Sequence, residues 1–116
     1  MTPAAPPAPR AAPLRGDVYW VTFPAPVGRR PALVVQNDVG NRSSPSTVVA
    51  IVSTAPRPDY PFLVRLAATE LGQAAVVHCE TISTMPIAWL EEKLATLSAT
   101  TMAAVDQALK VSLGLK

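Results

Sequence analysis

The chain reads as a mainly β domain ending in a C-terminal α-helix, with the strands curled into a small antiparallel barrel. Three observations predict this. Short β-branched and aromatic runs recur at close spacing between Asp17 and Leu97. Clusters of Pro, Gly, Asn and Ser punctuate them, which argues against an α/β fold. Only after Ser98 does the apolar period lengthen to that of a helix.

Taken in order, Met1 to Pro13 is a tail of alanines and prolines with Arg10 as its one charge. That composition predicts a disordered or polyproline-II segment, and its prolines break the apolar stretch a signal peptide needs. The domain is expected from residue 14 to 116. Asp17 to Phe23 is the first strand, followed by a short loop, Pro24 to Gly28. Ala32 to Val35 and Thr47 to Val52 form the next two strands, with a polar loop between them. If they pair antiparallel, Arg30 at the start of one meets Ser53 and Thr54 at the end of the other. Phe62 to Leu66 is a short strand and Ala67 to Gln73 a turn or single helical turn. Ala74 to Cys79 and Glu80 to Thr84 continue the β pattern with a bend between them. Pro86 to Leu90 is expected as a brief helical turn and Lys93 to Leu97 as an edge strand. Ser98 is a fitting N-cap for a helix over Ala99 to Leu113, whose stripe of Met102, Val105, Leu109 and Leu113 is assigned to core packing.

Bulk composition narrows the function. With 116 residues, 49% of them hydrophobic, the chain supports one domain with a modest core. A formal charge of +2 and 16% charged residues cannot build the dense basic face of a duplex-DNA binder, although a few placed arginines can bind phosphate. Cys79 is the only cysteine, which excludes an intrachain disulfide and argues against a cysteine zinc site. This fits a reducing cytosol, so a cytoplasmic location is expected. No stretch reaches the ~18 to 20 apolar residues of a membrane span.

The catalytic repertoire is thin. His78 is the only histidine and adjoins Cys79, and the chain holds no Walker loop, dinucleotide fingerprint or nucleophile-elbow pattern. Arg30 is either a loop arginine paired to a surface carboxylate or a phosphate clamp, whose planar fork suits the charge of a pentacoordinate phosphorus. Pro31 biases it towards extended backbone. Ser53 and Thr54 either end a strand or hold a phosphate oxygen or ribose 2′-hydroxyl. His78 is either a core or edge histidine or a base. Glu80 is expected to face the other side of the sheet from His78, as a solvated charge or an acceptor from a base edge. Asn37 and Asp38 shape their loop through side-chain to backbone bonds, or read a nucleobase.

Four segments in order carry a resemblance: Arg15-Gly-Asp-Val-Tyr-Trp20, Arg30-Pro-Ala-Leu-Val-Val-Gln-Asn-Asp38, Phe62-Leu-Val64 and Val105-Asp-Gln-Ala-Leu-Lys-Val-Ser-Leu-Gly-Leu115. Together they resemble the MazF/PemK family of toxin endoribonucleases from about Arg15 to the C-terminus. The resemblance implies a Src-homology-3-like barrel of the CcdB/PemK type, acting as a homodimer on single-stranded RNA. It implies cleavage with neither metal nor cofactor, leaving a 2′,3′-cyclic phosphate and a 5′-hydroxyl. The implied partner is a MazE-like antitoxin whose disordered tail covers the RNA groove. It also implies a catalytic pair, Arg30 with Ser53, and Thr54 as the alternative in another strand register. RNA contacts are expected from Arg29, Asn37, Glu80 and Thr81.

Arginine, with a pKa above about 12, suits stabilisation better than general-base work. The base is left unassigned. Three departures from the family pattern stand out. The loop from Pro24 to Arg29 is short, Thr81-Ile82-Ser83 replaces a common Gln-Ile-Arg, and serine replaces the commoner threonine at 53. Arg29 and Arg42 are candidates to replace the missing arginine. Two other readings compete: a CcdB-type toxin that poisons gyrase through a surface such as Val111 to Lys116, and a barrel that binds RNA or antitoxin without cleaving.

Overall fold

The computed structural model describes residues 11–116. Six antiparallel strands form one curled, half-barrel sheet in the order β4-β5-β3-β2-β1-β6. They are β1 (Asp17–Phe23), β2 (Gly28–Val34), β3 (Ser46–Ser53), β4 (Leu63–Leu66), β5 (Ala75–Pro86) and β6 (Lys93–Thr96). Three helices accompany them: α1 (Asp38–Ser43), α2 (Ala68–Leu71) and α3 (Ala99–Leu113), with a 3-10 turn at Ile87–Trp89. Of the expected tail, residues 1 to 10 lie outside the described residues, and Pro13 is buried.

Strand alternation divides the core into two faces. Val18, Leu33, Ala50, Val52 and Val77 pack under Val105 and Ala108 of α3. Their odd-for-even neighbours Tyr19, Val21, Ala32, Val34 and Val49 form the second cluster, covered by Met85 and Leu90. Both faces of the central strand β3 are therefore apolar, which explains its run of valine, alanine and isoleucine.

Helix α3 has the expected bounds. Ser98 caps it by accepting from the Thr101 N–H at 3.2 Å, and Gly114 ends it in the left-handed region at φ +70. Glu70 of α2 clips the helix start, accepting from the Ser98 and Thr101 hydroxyls, each at 2.7 Å. One part of the expected stripe fails. Leu113 is 53% exposed and Ala108 takes the buried position, because the last turn of α3 runs past the sheet.

Other boundaries move for identifiable reasons. The loop expected between β2 and β3 contains helix α1, nucleated where the Asn37 side chain accepts from the Gly40 N–H at 2.7 Å. β2 starts at Gly28, so Arg30 is a strand residue rather than a loop residue. Glycine there accommodates φ +75 and lets the short loop close. The two β segments after Ala74 are one strand with an irregularity. Ala50 pairs with Ile82 but Ile51 with His78, so Cys79, Glu80 and Thr81 bulge out where the bend was expected.

Candidate active site

The β2–β3 register places Ala32 opposite Ile51 and Leu33 opposite Ala50. Continued two residues outward, the same register sets Arg30 against Ser53. Both side chains fall on the face opposite α3 by alternation. A cavity of about 430 Å³ opens at this end, lined among others by Arg29, Arg30, Ser53, Thr54, Arg57 and Gln73. The three residues expected to act on phosphate thus share one cavity.

Arg30 is exposed and donates one hydrogen bond, from Nη1 to the Arg29 carbonyl at 2.9 Å. Among the described residues no carboxylate pairs with it. The surface ion pair that would explain it structurally is not there. Its neighbour behaves differently. Arg29 lies over the Trp20 ring at 4.3 Å and pairs with Glu91 at 3.0 Å. Hydrogen bonds from Thr22 and Arg29 hold the Glu91 carboxyl below its ordinary range.

Ser53 ends β3 half-buried, and its Oγ lies 2.7 Å from His78 Nε2. Thr54 is one residue beyond the strand, exposed on the cavity wall and not in that contact. The structure therefore favours Ser53 over Thr54 as the embedded hydroxyl. His78 Nδ1 in turn lies 3.3 Å from Glu80 Oε1. This overturns the expectation that Glu80 faces away from His78. Residues two apart on a strand share a face, and the bulge after His78 swings the carboxylate onto the ring. Cys79 points the other way, into the core under α3, and burial with help from Glu80 pushes its thiol up to about 11. Adjacent in sequence, His78 and Cys79 do not form a pair.

The remaining expected contacts scatter. Asn37 is committed to capping α1 at the far end of β2 from Arg30, and Thr81 is exposed on the bulge. Arg42 sits in the last turn of α1, also remote from the cavity. Neither Arg57 nor Gln73 is among the residues expected from the sequence, although Arg57 precedes Pro58 as Arg30 precedes Pro31 and so carries the same local signal. Among the described residues no group of three or more His, Cys, Asp or Glu side chains converges as a metal cage would.

Residues 14–113 match the family model described as PemK-like, MazF-like toxin of type II toxin-antitoxin system. The chain belongs to this family. The PemK/MazF relationship extends through sequence and structure. Endoribonuclease EndoA of Bacillus subtilis (strain 168) is 38% identical over 109 residues, covering 87% of this chain and 94% of that protein. A mycobacterial endoribonuclease solved with its cognate antitoxin superposes with a TM-score of 0.81 at 30% identity, over 90% of this chain and 98% of that one. A MazE-MazF crystal structure from Deinococcus radiodurans gives 0.76 at 30% identity, over 92% and 100%. The expected PemK-type architecture of a curled antiparallel sheet with a C-terminal helix is thereby borne out.

Proposed function

We propose that this MazF-like toxin is a sequence-specific endoribonuclease that cleaves single-stranded RNA without a metal. The observation that carries the reading is Arg30, exposed and free of any carboxylate partner among the described residues, across the β2–β3 pair from Ser53 at one cavity. The ribose 2′-oxygen attacks phosphorus, the bond to the 5′-oxygen breaks, and a 2′,3′-cyclic phosphate and 5′-hydroxyl remain. Arg30 clamps the phosphodiester through its fork and stabilises the charge that grows on the non-bridging oxygens. Ser53 orients the reacting ribose and phosphate. Arg57, Arg29 and the Trp20 platform supply further backbone and base contacts along the strand.

Relatives support the reading: EndoA is named an endoribonuclease, and neighbouring structures contain an antitoxin. The protein works as a homodimer in the cytoplasm, held in check by a MazE-like antitoxin lying over the RNA groove. No helix of the described residues is long and apolar enough to cross a membrane.

The test uses protein refolded free of antitoxin and a long mixed-sequence RNA. Cuts at one short sequence, cyclic-phosphate and 5′-hydroxyl ends, and rates unchanged by EDTA are expected. RNA left intact would overturn the proposal. Inhibited gyrase supercoiling in its place would favour the CcdB-type reading.

A further inference from the structure

The general base that arginine chemistry leaves unassigned has a structural candidate, and we propose that Ser53, His78 and Glu80 form a proton relay serving the attacking 2′-hydroxyl. The inference rests on the endoribonuclease reading above. Ser53 Oγ is 2.7 Å from His78 Nε2, and His78 Nδ1 is 3.3 Å from Glu80 Oε1. The ring is only 12% exposed, and Ser53 alone of the three lines the cavity. Glu80 selects the tautomer. A carboxylate only accepts, so it draws the proton to Nδ1 and leaves Nε2 as an acceptor for the Ser53 hydroxyl. The serine lone pairs are then free to take a proton from the cavity side.

The proton path closes without another reagent beyond water. The 2′-hydroxyl proton passes to Ser53 Oγ as the Ser53 proton passes to His78 Nε2. The 2′-oxygen bonds phosphorus, the 5′-oxygen leaves and takes a proton from water, and His78 returns its proton to solvent. Glu80 stabilises the imidazolium meanwhile. His78 acts through Ser53 and is a positioning residue in the sense that it does not touch RNA. The groups facing its ring are Glu80 on its own strand, Ser53 and Ile51 from β3, and Leu63 from β4. Arg65, two pairs further along β4, is engaged by Asp59 at 2.7 Å.

The decisive variant is His78→Gln. A glutamine amide reaches the Nε2 position and can hydrogen-bond Ser53, yet it cannot take up a proton. Wild-type kcat should carry a rising limb in its pH profile, the kinetic mark of a general base. In His78→Gln, kcat should fall about 100-fold and lose that limb, while KM changes less than about threefold, as expected for loss of a general base. Ser53→Thr should keep the limb and Ser53→Ala lose it. Glu80→Gln, on the exposed bulge, provides the same reading with no risk to the core and should lower kcat about tenfold. Full activity with an unchanged pH profile in His78→Gln or Glu80→Gln would overturn the relay. Imidazole nitrogen NMR of the wild type, which needs no RNA cleavage, should show the Nδ1–H tautomer, and a proton on Nε2 of the neutral ring would refute the relay. Wild-type protein that leaves RNA intact would refute the endoribonuclease reading instead.

Discussion

The β2–β3 pair carries a polar cluster at each end, and the two are built on opposite rules. At the α1 end, Gln36 Nε2 donates to Asn41 Oδ1 at 2.9 Å and to the Ser46 carbonyl at 3.0 Å. Thr47 Oγ1 donates to the same Asn41 oxygen at 2.7 Å, and Asn41 Nδ2 donates to the Gln36 carbonyl at 3.1 Å. Asn41 and Thr47 are buried, and among the described residues no buried side-chain polar atom lacks a partner. At the other end Arg30 uses one donor, on its neighbour's backbone, and faces a cavity. Saturated polar groups in a dry site fix a fold, since breaking one strands the rest. A cation held open at a cavity contributes little to folding and is available to a ligand. Neutral groups buried and bonded to one another mark the α1 end, and an exposed cation with no carboxylate partner among the described residues marks the cavity end.

The comparison is most sharply broken by Arg30→Ala. RNA cleavage should fall on the order of 10² to 10³-fold, as on loss of one charge-stabilising donor, with unfolding free energy within about 0.5 kcal/mol of wild type. Cleavage kinetics and urea denaturation read the two arms. Asn41→Leu should do the reverse. It leaves Gln36 and Thr47 without their buried acceptor and should lower stability by about 2 to 3 kcal/mol in urea, with cleavage per folded molecule retained. Ser98→Ala tests a cap away from both ends and should cost about 1 kcal/mol with no change in rate.

The smallest effect is a pH dependence at α3. Hydrogen bonds from Ser98 and Thr101 hold the Glu70 carboxyl below its ordinary 4.5. A depressed carboxyl contributes stability that is full above 4.5 and lost as pH falls through the lower folded value. Denaturation midpoints should therefore drop in that acidic window, and Glu70→Gln should flatten the drop.

Much of the architecture was legible because local patterns and tertiary demands agree. Asp17 to Phe23 and Ala99 to Leu113 emerge with the bounds that β-branched runs and a Ser98 cap predict. Helix α1 was not legible. Its six residues carry loop composition, and only the Asn37 cap hints at it. The bend near Cys79 was foreseen as a break but not as a bulge, because a bulge depends on what the partner strand does. In the site, Arg30 and Ser53 were legible as a motif and a strand end. The signal for Glu80 beside His78 was present too, since residues two apart on a strand share a face.

The sequence alone determined the strand-rich class, the helix that closes it, and the chemical inventory of one histidine, one cysteine in an apolar run and two arginines that precede proline, Arg30 and Arg57. Periodicity and residue type are properties of neighbours along the chain, so they survive without a structure. Tertiary structure decided which hydroxyl joins the histidine, that Arg30 has no carboxylate partner among the described residues while its neighbour Arg29 has one, and which polar cluster is closed. Those are matters of register between strands far apart in sequence. A shift of one residue would turn Ser53 to the α3 face and present Thr54 in its place.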